Sequence, residues 1–143
     1  MELVVDSNIC ITYYWKEAFF RKLLPECKFF TPMRALEEIQ KHEDELLEKT
    51  GLSKAAFQKM AQELAGKIEV IRHEQYKAAL KEASRTILQT EFLKDEKAAL
   101  LDDIAFIGLA HELRRPLWSN DRLLKKQEIV AVLNTREVIE LLG

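Results

Sequence analysis

The side chains that could do chemistry in this chain are acids placed beside apolar runs. Asp6 closes Leu3-Val4-Val5, and Asp121 follows Pro116-Leu117-Trp118 after Ser119 and Asn120. Asp102 and Asp103 open the dense apolar run Ile104 to Ala110, and Glu37-Glu38 fall in the second turn of the helix that starts at Thr31-Pro32. Carboxylate and water oxygens are the ligands that hard cations such as Mg²⁺ or Mn²⁺ prefer. Such a metal can bind a bridging phosphate, activate a water for in-line attack and stabilise the leaving oxygen. Metal-assisted phosphodiester hydrolysis is therefore the best chemical fit. His42, His73 and His111 are scattered without ligand spacing, so no Ser-His-Asp or Cys-His set competes. With 4 glycines in all, there is no glycine-rich phosphate loop either.

The elements must bring these acids together. Leu3-Val4-Val5 reads as a strand buried on both faces, halted by Asp6-Ser7-Asn8, which offers a turn and a helix cap. Helices follow over Ile9 to Lys16 and Glu17 to Leu24, then a second strand at Lys28-Phe29-Phe30. Thr31 with Pro32 signals a helix start, and that helix runs through Met33, Leu36 and Ile39 to about Glu48. Gly51 breaks it; Ser53 caps another helix bearing Phe57, Met60 and Leu64, with Gly66 as its C-cap. Ile68 to Ile71 is a third strand, and a long helix begins at His73-Glu74. The helix opened by Asp102-Asp103 is apolar on nearly every side, as buried helices are, and feeds the strand Pro116 to Trp118. Ile129 to Val132 is a fifth strand candidate, and Thr135 caps a last helix to Leu142. Alternation of strands and helices predicts an α/β fold, a three-layer α/β/α sandwich with a mostly parallel sheet of four or five strands. In such sheets ligands collect at the carboxyl ends of the strands, where Asp6 and Asp121 both fall. Of Glu37 and Glu38 one at most points inward, because adjacent helical residues diverge by about 100°; Glu38, before Ile39, is the choice.

Composition narrows the class. At 143 residues the length predicts one domain spanning 1–143. A net charge of −2 announces no global positive field and argues against a sequence-specific duplex binder, while saying little about an enzyme of small anionic substrates. Cys10 and Cys27, isolated among apolar residues, read as reduced core thiols of a cytoplasmic protein. Met1 leads straight into an acid and a strand, so no signal peptide or membrane span is expected.

Taken together, Asp6-Ser7-Asn8, the LEEI around Glu38, the DIAFIGLA from Asp103 and the WSND ending at Asp121 resemble a PIN domain of the VapC-like or archaeal kind. The order and spacing fit from the first strand to the last helix, although from Glu43 to Ala99 only the helical pattern matches. The resemblance implies a metal-dependent ribonuclease on a compact α/β/α sandwich, many such proteins being toxins of toxin–antitoxin pairs. It implies that Asp6, Glu38, Asp103 and Asp121 hold Mg²⁺ or Mn²⁺, and that Ser119 or Asn120 orders the site or substrate. An RNA substrate, a homodimer and an antitoxin partner are further implications. The basic residues Arg114, Arg115, Arg122, Lys125 and Lys126 could hold an RNA backbone beside the metal, Arg115 and Arg122 being the substrate-binding candidates.

Each residue also has an ordinary role to set beside these. Asp6 suits an Asx turn, Asp102 and Asp103 suit a first helical turn, Glu38 suits a solvated face, and Asp121 a turn. His111, Trp15 and Trp118 read as packing groups, and the stripe Phe57, Met60, Leu64 could close the monomer's core rather than a dimer. An inactive PIN-like RNA-binding or scaffold subunit is the alternative to the nuclease. A receiver-type signalling domain needs paired acids after the first strand and an aspartate after the third; Asp6 stands alone and Arg72-His73 occupies the other place, which excludes it.

Overall fold

Strand β1 (Glu2–Val5) lies at the centre of a five-stranded sheet, with β2 (Lys28–Pro32) on one side and β4 (Leu117–Trp118) on the other. The computed structural model describes all residues except Lys16 and Leu24, and all side chains except those two and residues 13–15, 17, 20 and 21. The ends of the two helices expected at Lys16 and Leu24, and the Trp15 ring, lie outside the described residues. Strand β3 (Ile68–Ile71) pairs with β2 and β5 (Val132–Leu133) with β4, giving the order β3-β2-β1-β4-β5 with every pair parallel. The expected α/β sheet is present, and parallel throughout.

The apolar run of β1 has two faces because successive strand side chains alternate. Leu3 and Val5 join Phe29 and Trp118 in one core, whereas Val4 joins Phe30 and Leu117 in the other. The first core is covered by α1 (Ser7–Trp15), α2 (Glu17–Leu23), α4 (Glu43–Thr50), α5 (Lys54–Lys67) and α10 (Thr135–Leu142). The second is covered by α6 (Lys77–Gln89), α7 (Lys94–Asp102), α8 (Ile104–Leu113) and α9 (Arg122–Lys126). Helix α3 (Met33–Lys41) spans both, with Ile39 in one core and Ala35 in the other. Among the described residues no helix is long and apolar enough to cross a membrane.

Several local readings shift, each for a visible reason. The helix expected to run from Met33 to Glu48 is interrupted at His42, and Glu43, Asp44 and Glu45 then occupy the first turn of α4, where acids meet the free amides. Gly51 ends α4 in the left-handed region at φ 69°, as a C-capping glycine does. Gly66, by contrast, is no cap; α5 continues through it to Lys67. Thr31 belongs to β2 and donates its hydroxyl to the Val5 carbonyl at 2.9 Å, knitting two strands instead of capping α3. The fifth strand starts at Val132 because buried Gln127 folds the chain before it. Its Oε1 accepts from the amides of Ile129 and Val130 and its Nε2 donates to the carbonyls of Leu124 and Val130. Asn134 rather than Thr135 caps α10, accepting from the Glu137 amide at 2.9 Å. Phe57 and Leu64 are buried in the chain's own core with Met60 packed beside them, so that stripe closes the monomer.

Helix α8 is the spine of its layer, buried continuously from Ala105 to Ala110. It can approach α6 closely because Gly108 has no side chain: a Cβ there would stand 3.0 Å from Leu80 Cα and 3.1 Å from Leu80 Cδ1. Gly108→Ala gains helix propensity of about 1 kcal/mol, but overpacking against a backbone atom costs about 1–3 kcal/mol. The packing term is expected to win, lowering the melting temperature; an unchanged or higher one would show that the two helices part freely.

Candidate active site

The strand order sets the site. The chain steps from β1 outward through β2 to β3, then returns to the far side of β1 as β4. The carboxyl ends of β1 and β4 therefore flank the point where the winding reverses, the place where such sheets leave a crevice. Asp6 follows β1 there, its amide donating to the Trp118 carbonyl at 3.3 Å. Its Oδ1 accepts from the Ile9 amide at 2.8 Å, starting α1, and the residue is 5% exposed. Across the gap, Ser119 is 1% exposed. Its hydroxyl accepts from the Asp121 amide at 3.1 Å and favours the ionised form of the Asp6 carboxyl, so one buried group stands between the ends of both strands. Asp121 turns Oδ1 to the amides of Leu123 and Leu124, at 2.8 and 3.1 Å, capping α9.

The other two acids arrive from the helices. Glu38, in the second turn of α3, accepts the Ser7 hydroxyl at Oε2 and the Arg34 Nε at Oε1, the latter at 3.1 Å. Asp103 sits at the junction of α7 and α8, at the end of α8 that lies over the carboxyl edge because α8 runs back to β4. Asp102 is the last residue of α7 and exposed, so the two adjacent acids part company.

Electrostatics report the convergence. Burial pushes the Asp103 carboxyl up to about 6, helped by the charges of Asp121, Glu38 and Asp6 and opposed by Arg34. Asp6 is also raised, by burial first and by Asp121, against the Ser119 and Ile9 hydrogen bonds that favour its ionised form. Cys10, pushed up to about 12 by burial and by Asp6, is an inert core thiol. Asp103 thus feels three other acids, each carried by a different element. Oxygen donors whose charges repel one another are the set a hard divalent cation suits. Among the described residues no three acids already stand as a ready chelating group, so the fit is one of donor chemistry around an open site.

The remaining candidates divide. Ser119 lies within the site. Asn120 does not point its amide to it: Nδ2 donates to Thr135 Oγ1 at 2.9 Å and Oδ1 accepts from the Thr135 amide at 2.8 Å, while Trp118 Nε1 donates to the same hydroxyl. Arg122 is exposed in the first turn of α9, next to Asp121. Arg115 is at the opposite sheet edge, its Nε donating to Glu2 Oε2 at 2.6 Å. It precedes β4, and parallel strands carry their amino ends away from the acids. Arg114 shares that edge, in the left-handed region at φ 54°. Lys125 is held by Glu137 and the Val132 carbonyl, and Lys126 lies 4.0 Å from Glu96. Two contributors escaped the sequence reading. In the sequence Ser7 reads as a turn former and Arg34 carries no assigned role, although its i,i+4 spacing to Glu38 is a usable signal.

Ser119→Ala removes the bridge and leaves a buried carboxyl short of a donor. A loss of about 1–3 kcal/mol in stability is expected, the range for a buried polar group left unsatisfied, read by denaturant unfolding. A midpoint equal to that of the parent protein would show that the bridge is not holding the two strand ends.

The fold and site define an α/β protein with an acidic centre at the winding reversal. The chain belongs to the PIN domain family, whose profile matches residues 4–142, a family of nucleases. Among solved structures it is similar in fold to a chain of "VapBC2 from Rickettsia felis bound to a DNA fragment from their promoter", with a TM-score of 0.68 and 15% identity over 94% of this chain and 98% of that one. No curated protein sequence matches.

Proposed function

We propose that this protein is a Mg²⁺- or Mn²⁺-dependent endoribonuclease that hydrolyses phosphodiester bonds in single-stranded RNA, and the toxin of a toxin–antitoxin pair. The observation that carries the reading is the coupling of Asp103 to Asp6, Glu38 and Asp121, four acids from four elements at one edge. The VapBC2 likeness in fold supports the toxin part and an antitoxin partner.

Asp6, Glu38, Asp103 and Asp121 are the residues that would hold the metal. Bound there, a divalent ion supplies a lowered pKa for an attacking water and charge stabilisation for the leaving oxygen. Ser119 orients Asp6 against Asp121. Ser7 fixes one oxygen of Glu38, and Arg34 keeps the other occupied until a phosphate offers it a better partner. Arg122, on the rim beside Asp121, is placed to meet the RNA backbone. Arg115, on the far edge, has no part in it.

The engagement of both Glu38 oxygens favours the second reading, an inactive RNA-binding subunit. Incubation of the purified protein with single-stranded RNA decides: cleavage that appears with Mg²⁺ or Mn²⁺ and disappears with chelator is expected. RNA left intact in both metals would leave the binding subunit. A homodimer is also proposed, through surfaces other than the buried Phe57 stripe; a monomer by light scattering at tens of micromolar would refute it.

A further inference from the structure

Beside the acidic centre the surface opens into a groove of about 440 Å³, lined among others by Arg34, Glu37, Arg72, His73, Glu74 and Tyr76. Its volume is that of small-molecule sites. Two residues join it to the centre: Arg34 bonds Glu38 through Nε, and Ile104, which also lines it, directly follows Asp103. We propose that this groove is the subsite for the nucleotide adjoining the scissile phosphate and that it selects guanine. The inference rests on the ribonuclease reading and names the specificity of that same site.

The lining carries the three kinds of group a nucleotide needs. Arg34 and Arg72 are exposed cations for phosphate oxygens, and Arg34, bonded to Glu38 through Nε, has further guanidinium donors to offer. His73 is an exposed ring at the mouth, set edge-on to buried Tyr76 with centroids 5.8 Å apart and planes at 64°. A ring already braced loses less freedom when a base stacks on it, and stacking is how single-stranded bases are held. The turn carrying it is fixed by the Arg72 amide, which donates to Gln75 Oε1 at 3.1 Å. Glu37 and Glu74 are exposed in the same groove. They weaken its attraction for phosphate alone, which argues against a plain anion site. Ionised carboxylates only accept hydrogen bonds, so they select a base edge with adjacent N–H donors. Guanine, with N1–H and N2–H₂, meets one carboxylate at two points.

The test uses fluorescein-labelled single-stranded RNA hexamers and fluorescence anisotropy, in chelator so that nothing is cut. One hexamer carries guanosine and its twin inosine, which lacks the N2 amine. Tighter binding of the guanosine strand by about tenfold is expected, as a base contact of this kind gives. The Glu37→Gln, Glu74→Gln double variant should erase that preference, and His73→Ala should weaken both strands about tenfold. All three positions are exposed, and unchanged melting temperatures would show the variants folded. Equal binding of the two hexamers by the parent protein overturns guanine selection, and unaltered binding by His73→Ala overturns the subsite. If metal-dependent cleavage persists alongside those results, only this inference fails. If no RNA is bound or cut, the ribonuclease reading falls with it.

Discussion

Asp103→Asn is expected to lower metal-dependent RNA cleavage by about 10²- to 10³-fold. The substitution keeps shape and one oxygen while removing a charge. Asp103 is the acid that feels all three of the others, so its carboxylate does most to draw a cation to the common point. A metal contributes several kcal/mol of charge stabilisation to a phosphoryl reaction, and each 1.36 kcal/mol is about tenfold in rate. Single-turnover cleavage of one labelled RNA, at saturating Mn²⁺, gives the comparison. Cutting at the parent rate would remove Asp103 from the site. Rescue by raised metal concentration would locate the defect in metal affinity, as the assignment requires.

The second large effect is on stability and needs no substrate. Asp103 titrates at about 6 in the folded protein instead of the ordinary 3.8, and Asp6 is raised too. For a carboxyl raised on folding the sign is unfavourable to the native state at neutral pH. Below about 4 both states hold the proton and no penalty exists; between about 4 and 6 the unfolded chain releases it first; above about 6 the penalty is complete. The Asp6→Asn, Asp103→Asn double variant should therefore match or exceed the parent at pH 7 in metal-free buffer, with the gap closing as pH falls toward 4. Asparagine can still accept from the Ile9 amide, so the start of α1 survives the exchange. Added Mn²⁺ should stabilise the parent by about 2.7 kcal/mol at a hundredfold excess over its dissociation constant. At about 2–4 °C per kcal/mol that is about 5–11 °C in melting temperature, while the variant should barely move. A variant less stable than the parent at pH 7, with metal moving neither protein, would mean that the acids serve only as caps and turns.

These two experiments also separate what each acid does for folding from what it does for chemistry. Asp6 and Asp121 both cap helices through one oxygen, so the ordinary role and the functional one coexist in the same side chain. Asp103 accepts no such helix-capping bond, yet it shares its charge environment with all the others. Its lack of a structural duty makes it the cleaner probe of the site.

Local patterns in the sequence mark Leu3-Val4-Val5 as a strand buried on both faces, the alternation of strands with helices, and the places of Asp6 and Asp121 just beyond two strand ends. An unbroken Leu3-Val4-Val5 run can be satisfied only by burial on both faces, and a parallel sheet must then carry Asp6 and Asp121 to its carboxyl edge, since strand direction is the same throughout. The buried character of α8 was equally plain, because an apolar run without a polar face has nowhere to lie but between layers. Tertiary structure decided the rest. Arg115 stands before β4 and so falls at the amino edge of a parallel sheet, but the partner that holds it there, Glu2, is 113 positions away. Ser119 became a bridge, and Asn120 a tether to Thr135, only once β1, β4 and α10 were neighbours. Ser7 gained its role from Glu38, 31 residues on. The start of β5 moved because Gln127, buried by the closed fold, turns its side chain onto the nearby backbone of Ile129 and Val130. Periodicity and end signals are local quantities and survive in the sequence; hydrogen bonds between distant residues exist only after the chain has closed on itself.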